Sequence, residues 1–227
     1  MEISELEGKI INADCMDILK KLPDKCIDLV LTDIPYGECN RESNGLRNFN
    51  YGVADIITFN LEKLLKQLIR ITKGSIYIFC GTEQVSNIRE NLVNAGLSTR
   101  LLIWEKTNPV PTNGQHIWLS GIECCVYGKL KGGVFNESCK NTILRYPICS
   151  DKGRFHTTQK PLDMFNYLIT VSSNQGDLVL DPFSGSGTTA VACNNLKRRF
   201  ICIEKDPEYW AKSCERLKAE QAQLQLF

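Results

Sequence analysis

Short apolar runs, most of them β-branched, recur along the chain with helical stretches between them. They are KIINA (9–13), IDLVLTD (27–33), SIYIFC (75–80), LLIWEK (101–106), IECCVYG (122–128), DLVLD (177–181) and RFICIE (199–204). Their apolar positions are continuous rather than alternating, the pattern of strands buried on both faces. Spacings of three and four predict helices over 60–72, 83–95 and 162–173. A short helix is expected over 15–22, another over 188–196 after a glycine turn, and a last one over 207–224. Strands alternating with helices predict an α/β sheet with helices on both sides. The rhythm breaks twice. Residues 38–57 are polar and rich in glycine and asparagine, and residues 128–159 have no clear periodicity. Connections this long in a compact domain are usually functional or disordered.

Composition narrows the picture. With 227 residues, 43% of them hydrophobic, the chain can fill one core of ordinary size, so a single domain over 1–227 is expected. The net charge of +1 rules out a polyanion-binding surface spread over the whole molecule; nucleic acid would have to meet a local patch. No apolar stretch approaches the roughly 20 residues that span a bilayer. The acidic start, MEISELEGK, lacks the core of a signal peptide. Many of the 11 cysteines, Cys80, Cys124, Cys125 and Cys202 among them, fall within apolar runs, which suits small buried hydrophobes in a reducing cytoplasm. There is no C-x-x-C pair, and His116 and His156 are not in ligand spacing, so no metal is expected.

Two short stretches carry the chemistry. The first is DPFSGSGTT (181–189), which follows a strand and opens a helix. Gly185 and Gly187 let the backbone turn tightly and approach a ligand, and Thr188 and Thr189 can cap the helix. The spacing fits neither a phosphate-binding Walker loop nor the full dinucleotide fingerprint. Glu204 ends the next strand about twenty residues on, where an acid can accept hydrogen bonds from both hydroxyls of a ribose. A tight turn beside a surface acid is the bland alternative; Asp181 before the turn and Glu204 after it favour a nucleoside cofactor. The second stretch is LTDIPYG (31–37), a buried strand ending in a carboxylate, a proline and an aromatic ring.

In this order, DIPY before DPFSGSGTT, the chain resembles the β group of amino-methylating DNA methyltransferases. INADCMDILKKLPD, YIFCG, LIWEKTNP, HTTQKPLDMF and FICIEKDPEYW extend the likeness over most of the sequence. The resemblance implies a circularly permuted Rossmann-like fold, a mostly parallel sheet with an antiparallel edge strand and helices on both faces. It implies S-adenosylmethionine as cofactor. Phe183 and the backbone at Gly185 and Gly187, with Thr188 opening the helix, would line its methionine part. Asp181 would lie near its charged groups, Glu204 would hold the ribose and Asp14 would approach the adenine. Lys160, with Thr158 and Gln159, would contact the methionine carboxylate. Asp14 has a second reading, as cap of the short helix that follows it.

An exocyclic amine is conjugated with its ring, so its lone pair is poorly available. Two acceptors on the amine hydrogens would turn that pair toward an electrophilic methyl. By the resemblance these are the Asp33 side chain and the main-chain carbonyl of Ile34. Ile34 departs from the common DPPY, yet the carbonyl survives the change, and Pro35 still biases it toward extended backbone. Tyr36 would stack on the target base, an interaction worth about 1–3 kcal/mol in single-strand systems, against the few kcal/mol of flipping that base from a duplex. In this family Asp at the first position goes mostly with adenine N6 and Ser with cytosine N4. Adenine is therefore expected in double-stranded DNA. A cytosine-N4 enzyme, an RNA methyltransferase and a non-catalytic DNA-binding module stay open.

The segment 128–156 holds Lys129, Lys131, Lys140, Arg145, Lys152 and Arg154 against two acids, a local excess suited to phosphates. Residues 108–157 are read as a small target-recognition subregion, with a solvated basic loop as the alternative. Arg41, Arg47, Phe49 and Tyr51 could close over a flipped nucleotide. Related enzymes often pair, which implies a homodimer. Gln223-Leu-Gln-Leu-Phe resembles the pentapeptide by which bacterial proteins bind the replication sliding clamp.

Overall fold

Each apolar run forms a strand, and a computed structural model describes residues 2–36, 59–110, 116, 118–149 and 159–224. The strands are β1 (Lys9–Asn12), β2 (Ile27–Asp33), β3 (Thr72–Cys80), β4 (Ser98–Lys106), β5 (Ile122–Lys129), β6 (Ile143–Tyr146), β7 (Leu178–Asp181) and β8 (Arg199–Glu204). The helices are α1 (Cys15–Leu19), α2 (Leu61–Ile71), α3 (Val85–Asn94), α4 (Leu162–Ser172), α5 (Thr188–Asn195) and α6 (Pro207–Leu224). Helix α2 shows why the pattern works. Asn60 caps it by accepting from the Lys63 amide at 2.9 Å, and Leu64, Leu65, Leu68 and Ile71 share its buried face. Each is fully buried, a gain of roughly 1.5–3 kcal/mol per side chain.

The strands make one sheet in the order β1-β8-β7-β2-β3-β5-β4-β6. All neighbours are parallel except β3–β5 and β4–β5. The reversed strand is therefore β5, inside the sheet, and not an edge strand as expected. The displacement has a simple cause: β4 and β6 continue the sheet beyond it. No periodicity predicts β6, a four-residue edge strand in the aperiodic segment. Its start is held by Asn141, whose side chain accepts from the Ile143 amide at 2.9 Å, and its end by the Trp104 indole, which donates to the Tyr146 carbonyl at 2.9 Å.

Two cores cover the sheet. Side chains of α1, α2 and α3 pack with Val30, Ile34, Ile76 and Ile78 on one face. Those of α4, α5 and α6 pack with Leu29, Leu31, Tyr77 and Phe79 on the other. The alternation along β2 and β3 is the period-two signature of strands buried on both sides. Among the described residues no helix is long and apolar enough to cross a membrane.

This topology decides where a ligand can sit. The parallel strands β1, β8, β7, β2 and β3 all end along one edge. Between β7 and β2 the chain's crossovers diverge, β2 leading outward to β3 and β7 to β8. Open α/β sheets bind ligands at the carboxyl ends of the strands at such a point. Because β5 is reversed, its first residues reach this same edge: Cys124 lies opposite Cys80, while Lys129 lies opposite Ser75 at the far end of β3.

Candidate active site

The glycine turn is shaped by its own backbone and braced from three sides. Gly185 and Gly187 have φ of +50° and +74°, left-handed values that glycine adopts without strain. The Glu204 carboxylate accepts from the Gly185 amide at 2.7 Å and from the Asp206 amide at 2.8 Å. Asp181 accepts from Thr32 at 2.8 Å, Thr189 at 2.5 Å and the Phe183 amide at 3.1 Å. Arg216 of α6 donates to the Ser186 carbonyl at 3.0 Å and the Thr188 hydroxyl at 3.1 Å. The cap differs from expectation. Gly187 is the N-cap of α5 and has no side chain to cap with; the hydroxyls of Thr188 and Thr189, the first helical residues, bond Arg216 and Asp181 instead. Burial pushes the Asp181 carboxyl up to about 6, against the pull of its Thr189 and Thr32 hydrogen bonds. Burial raises Glu204 as well, opposed by its two backbone amides.

The tip of β2 lies beside this turn, since Val30 pairs with Leu180 and Thr32 bonds Asp181. The Ile34 amide donates to the Phe79 carbonyl at 3.1 Å, carrying the ladder one residue past Asp33 and fixing the start of the Ile34–Pro35 bend. Gln84 secures the next peptide: its amide nitrogen donates to the Pro35 carbonyl at 3.3 Å and its oxygen accepts from the Gly81 amide at 3.0 Å. Asp33 Oδ1 accepts from the Tyr36 phenol, and Oδ2 from the Lys160 ammonium.

Lys160 is buried, its side chain 4% exposed, and also pairs with Glu123 at 3.1 Å. Glu123 is held in turn by Lys106 at 2.9 Å. The Lys160 ammonium faces the rings of Tyr36, Phe79 and Trp104 at 5.5, 5.6 and 6.0 Å, a favourable setting for a partly desolvated cation. Burial works to lower the Lys160 pKa, but Asp33 and Glu123 outweigh it and raise it. Burial raises Asp33, with Lys160 pulling it back and Glu123 adding to the rise. Burial would also raise Glu123, yet Lys160 and Lys106 bring it below the ordinary range.

Both motifs open onto one cavity of about 370 Å³, within the usual range for small-molecule sites. Asp33, Ile34, Pro35 and Tyr36 line one part, Phe183, Gly185, Thr188 and Glu204 another, and Asp14 and Lys160 also border it. The lining suits a nucleoside attached to a charged chain. Phe59 and Phe183 meet at 5.0 Å between ring centroids and supply an apolar wall. Glu204 keeps lone pairs beyond the two already used. Gln159 also borders the cavity, and its side-chain oxygen is buried with no hydrogen-bond partner among the described residues.

Some expected roles look different in the structure. The Lys160 ammonium sits on Asp33 and Glu123, away from the role of partner to a cofactor carboxylate. Asp14 is the cap of α1, accepting from the Met16 amide at 2.9 Å, and pairs with Lys205 at 3.0 Å; it borders the cavity as well. Asp181 uses its carboxylate to brace the turn. The expected basic patch is not continuous. Lys129 lies at the edge of the sheet opposite the cavity, and Lys131 follows it there, because β5 runs backward. Lys140 pairs with Glu137 at 3.4 Å and Arg145 with Glu105 at 3.0 Å. Lys152, Arg154 and Thr158, like Arg41, Arg47, Phe49 and Tyr51, lie outside the described residues. Sequence reasoning passed over Glu123, Lys106 and Gln84. Glu123 carried a signal, an acid heading an otherwise apolar strand. Among the described residues no group of side chains could hold a metal ion.

The likeness to known proteins agrees with this geometry. A family model described as DNA methylase matches residues 115–215. Type II methyltransferase M.HinfI of Haemophilus influenzae is 30% identical over 95% of this chain and 70% of its own length. Type II methyltransferase M2.MboI of Moraxella bovis is 27% identical over 95% of this chain and 89% of its own. The crystal structure of the M1.HpyAVI–SAM complex aligns with a TM-score of 0.71 at 28% identity, covering 92% of this chain and 98% of that one. The cytosine-N4-specific PvuII DNA methyltransferase aligns with a TM-score of 0.72 at 16% identity, a likeness of fold alone. The resemblance read from DIPY and DPFSGSGTT is borne out at the level of the whole chain, which belongs to the N6/N4 family of DNA methyltransferases.

Proposed function

We propose that this chain transfers a methyl group from S-adenosylmethionine to the N6 amine of adenine in double-stranded DNA. The observation that carries the reading is the shared cavity: the Asp33 carboxylate at the tip of β2 opens onto the same space as Phe183, Gly185 and Glu204. S-adenosylmethionine, when bound, supplies an electrophilic methyl on a sulfonium. Glu204 would accept from its ribose hydroxyls, Phe59 and Phe183 would cover its apolar surface, and the Gln159 side-chain oxygen would accept from a polar group of its chain.

The remaining work falls to groups that orient the amine. Asp33 accepts one amine hydrogen and the Ile34 carbonyl the other, so the nitrogen lone pair points into the cavity. Tyr36 stacks on the flipped base, and Gln84 keeps the bend that presents it. This is catalysis by positioning and fixed dipoles. Asp at position 33, where cytosine-N4 relatives mostly carry Ser, favours adenine. Duplex DNA would be met by the β4–β5 connection, which leaves the sheet on the cavity edge and carries Trp118, 95% exposed. Lys152 and Arg154, in the stretch between β6 and Lys160, are the proposed phosphate contacts. The test is to incubate duplex DNA with the protein and methyl-labelled S-adenosylmethionine, digest it, and identify the labelled nucleoside. N6-methyladenine supports the reading; N4-methylcytosine overturns the choice of base, and label found only with RNA overturns the substrate.

A further inference from the structure

Both oxygens of the group that should hold the target amine are already in use. Tyr36 donates to Asp33 Oδ1 and Lys160 to Oδ2. Each Asp33 oxygen keeps a further lone pair, but an amine that shares the carboxylate with two donors is held less strongly than one that replaces a donor, so the hold on the amine tightens when one of them moves. Lys160 is buried, and a buried ammonium stripped of its partner carries a heavy penalty. A second acceptor must therefore stand within its reach.

Glu123 stands there. One of its oxygens, Oε2, lies 3.1 Å from Lys160 Nζ and 3.3 Å from the Tyr36 hydroxyl. A single atom thus faces both donors that occupy Asp33. The other oxygen, Oε1, is fixed at 2.9 Å from Lys106, whose side chain is 12% exposed, so the carboxylate does not drift. Two carboxylates and two ammonium groups make the cluster neutral, and it stays neutral whichever carboxylate Lys160 favours. The exchange redistributes hydrogen bonds and moves no net charge.

We propose that Glu123 is a positioning residue that receives the Lys160 ammonium and the Tyr36 hydroxyl as the target amine takes their place on Asp33. The proposal rests on the reading of Asp33 as the amine acceptor. It assigns Glu123 a part in the step itself, beyond tying β5 to Lys106.

A double-mutant cycle separates the two roles. Glu123→Gln keeps the shape and removes the charge, and Lys160→Met removes the cation that Glu123 is to receive. Single-turnover methyl transfer, the KM for S-adenosylmethionine and the melting temperature are measured for the parent, both single variants and the double. The expected result for Glu123→Gln is a rate about tenfold lower with cofactor KM nearly unchanged; melting falls, because Lys160 and Lys106 lose a carboxylate, and the rate is read well below the melting range. In the Lys160→Met background the same change should cost much less. Tyr36→Phe keeps the ring and removes the other donor, so it gives a second background in which the cost must shrink should the lysine variant misfold. A parental rate in Glu123→Gln overturns the proposal. So does an equal cost in all backgrounds, which a purely structural pair with Lys106 would give. If the parent transfers no methyl group to duplex DNA, the underlying reading fails first and the proposal goes with it.

Discussion

Asp33 and Glu204 are both acids at strand tips, yet they serve different partners, and their variants should part accordingly. Glu204 braces the turn through Gly185 and faces the cavity. Hydrogen bonds to a charged group are worth about 1.5–3 kcal/mol, so Glu204→Ala should weaken S-adenosylmethionine binding roughly tenfold or more, with transfer at saturating cofactor less affected. Calorimetric titration beside saturation kinetics checks this, and unchanged affinity would contradict it. Asp181 gives a pH prediction. Its carboxyl is raised on folding from 3.8 to about 6, so its protonated form is favoured in the folded state. The stability this adds is complete below pH 3.8 and lost as pH rises through about 6. Relative to the parent, Asp181→Asn should gain up to about 3 kcal/mol between these limits. Denaturant unfolding of both proteins across that range measures the difference; a constant difference would refute it. The two carboxylate tips were legible because an acid at the end of an apolar run has few structural reasons to be there. The destination of Lys160 was not, because its partners Asp33 and Glu123 lie on strands distant in sequence.

At the level of elements, the glycine turn is the most constrained junction. Gly187 sits at φ +74°, and a Cβ there would come within 3.1 Å of the Ser213 Cβ and 3.3 Å of Ile10 Cδ1. Gly187→Ala therefore meets both a left-handed backbone and a filled space, at a cost of about 1–3 kcal/mol. Thermal melting should fall by several degrees, whereas a parental melting temperature would show that the turn relaxes freely. Strands β2, β3, β5, β7 and β8 were legible because burial on both faces leaves continuous apolar runs; β1 and β4 have exposed positions but still carry short apolar runs. Strand β6 was not: ILRY is too short for a period to register, and it exists because β4 offers it an edge. The reversal of β5 was equally hidden, since strand direction depends on which neighbour a strand finds. That one reversal brings Glu123 to the cavity edge of the sheet, against Lys160, and sends Lys129 to the other edge.

For the whole molecule, a net charge of +1 means that DNA affinity must come from local groups. Lys152→Ala together with Arg154→Ala should weaken duplex binding and flatten its dependence on salt, since each neutralised phosphate contributes to that slope. Binding isotherms at several salt concentrations test this, and an unaltered slope would place the contacts elsewhere. The terminal Gln223-Leu-Gln-Leu-Phe is proposed as a sliding-clamp peptide with two apolar anchors, Leu226 and Phe227. Deleting 223–227 should abolish clamp binding and spare methylation, and a truncated protein that still binds the clamp would rule the peptide out.

The central claim is that the carboxylate at the tip of β2 orients the amine for methyl transfer. The most direct measurement compares Asp33→Ala with the parent for single-turnover methylation of duplex DNA, with S-adenosylmethionine affinity measured on the same samples. The account predicts that transfer is lost while cofactor affinity stays nearly parental; transfer by Asp33→Ala at the parental rate would contradict it.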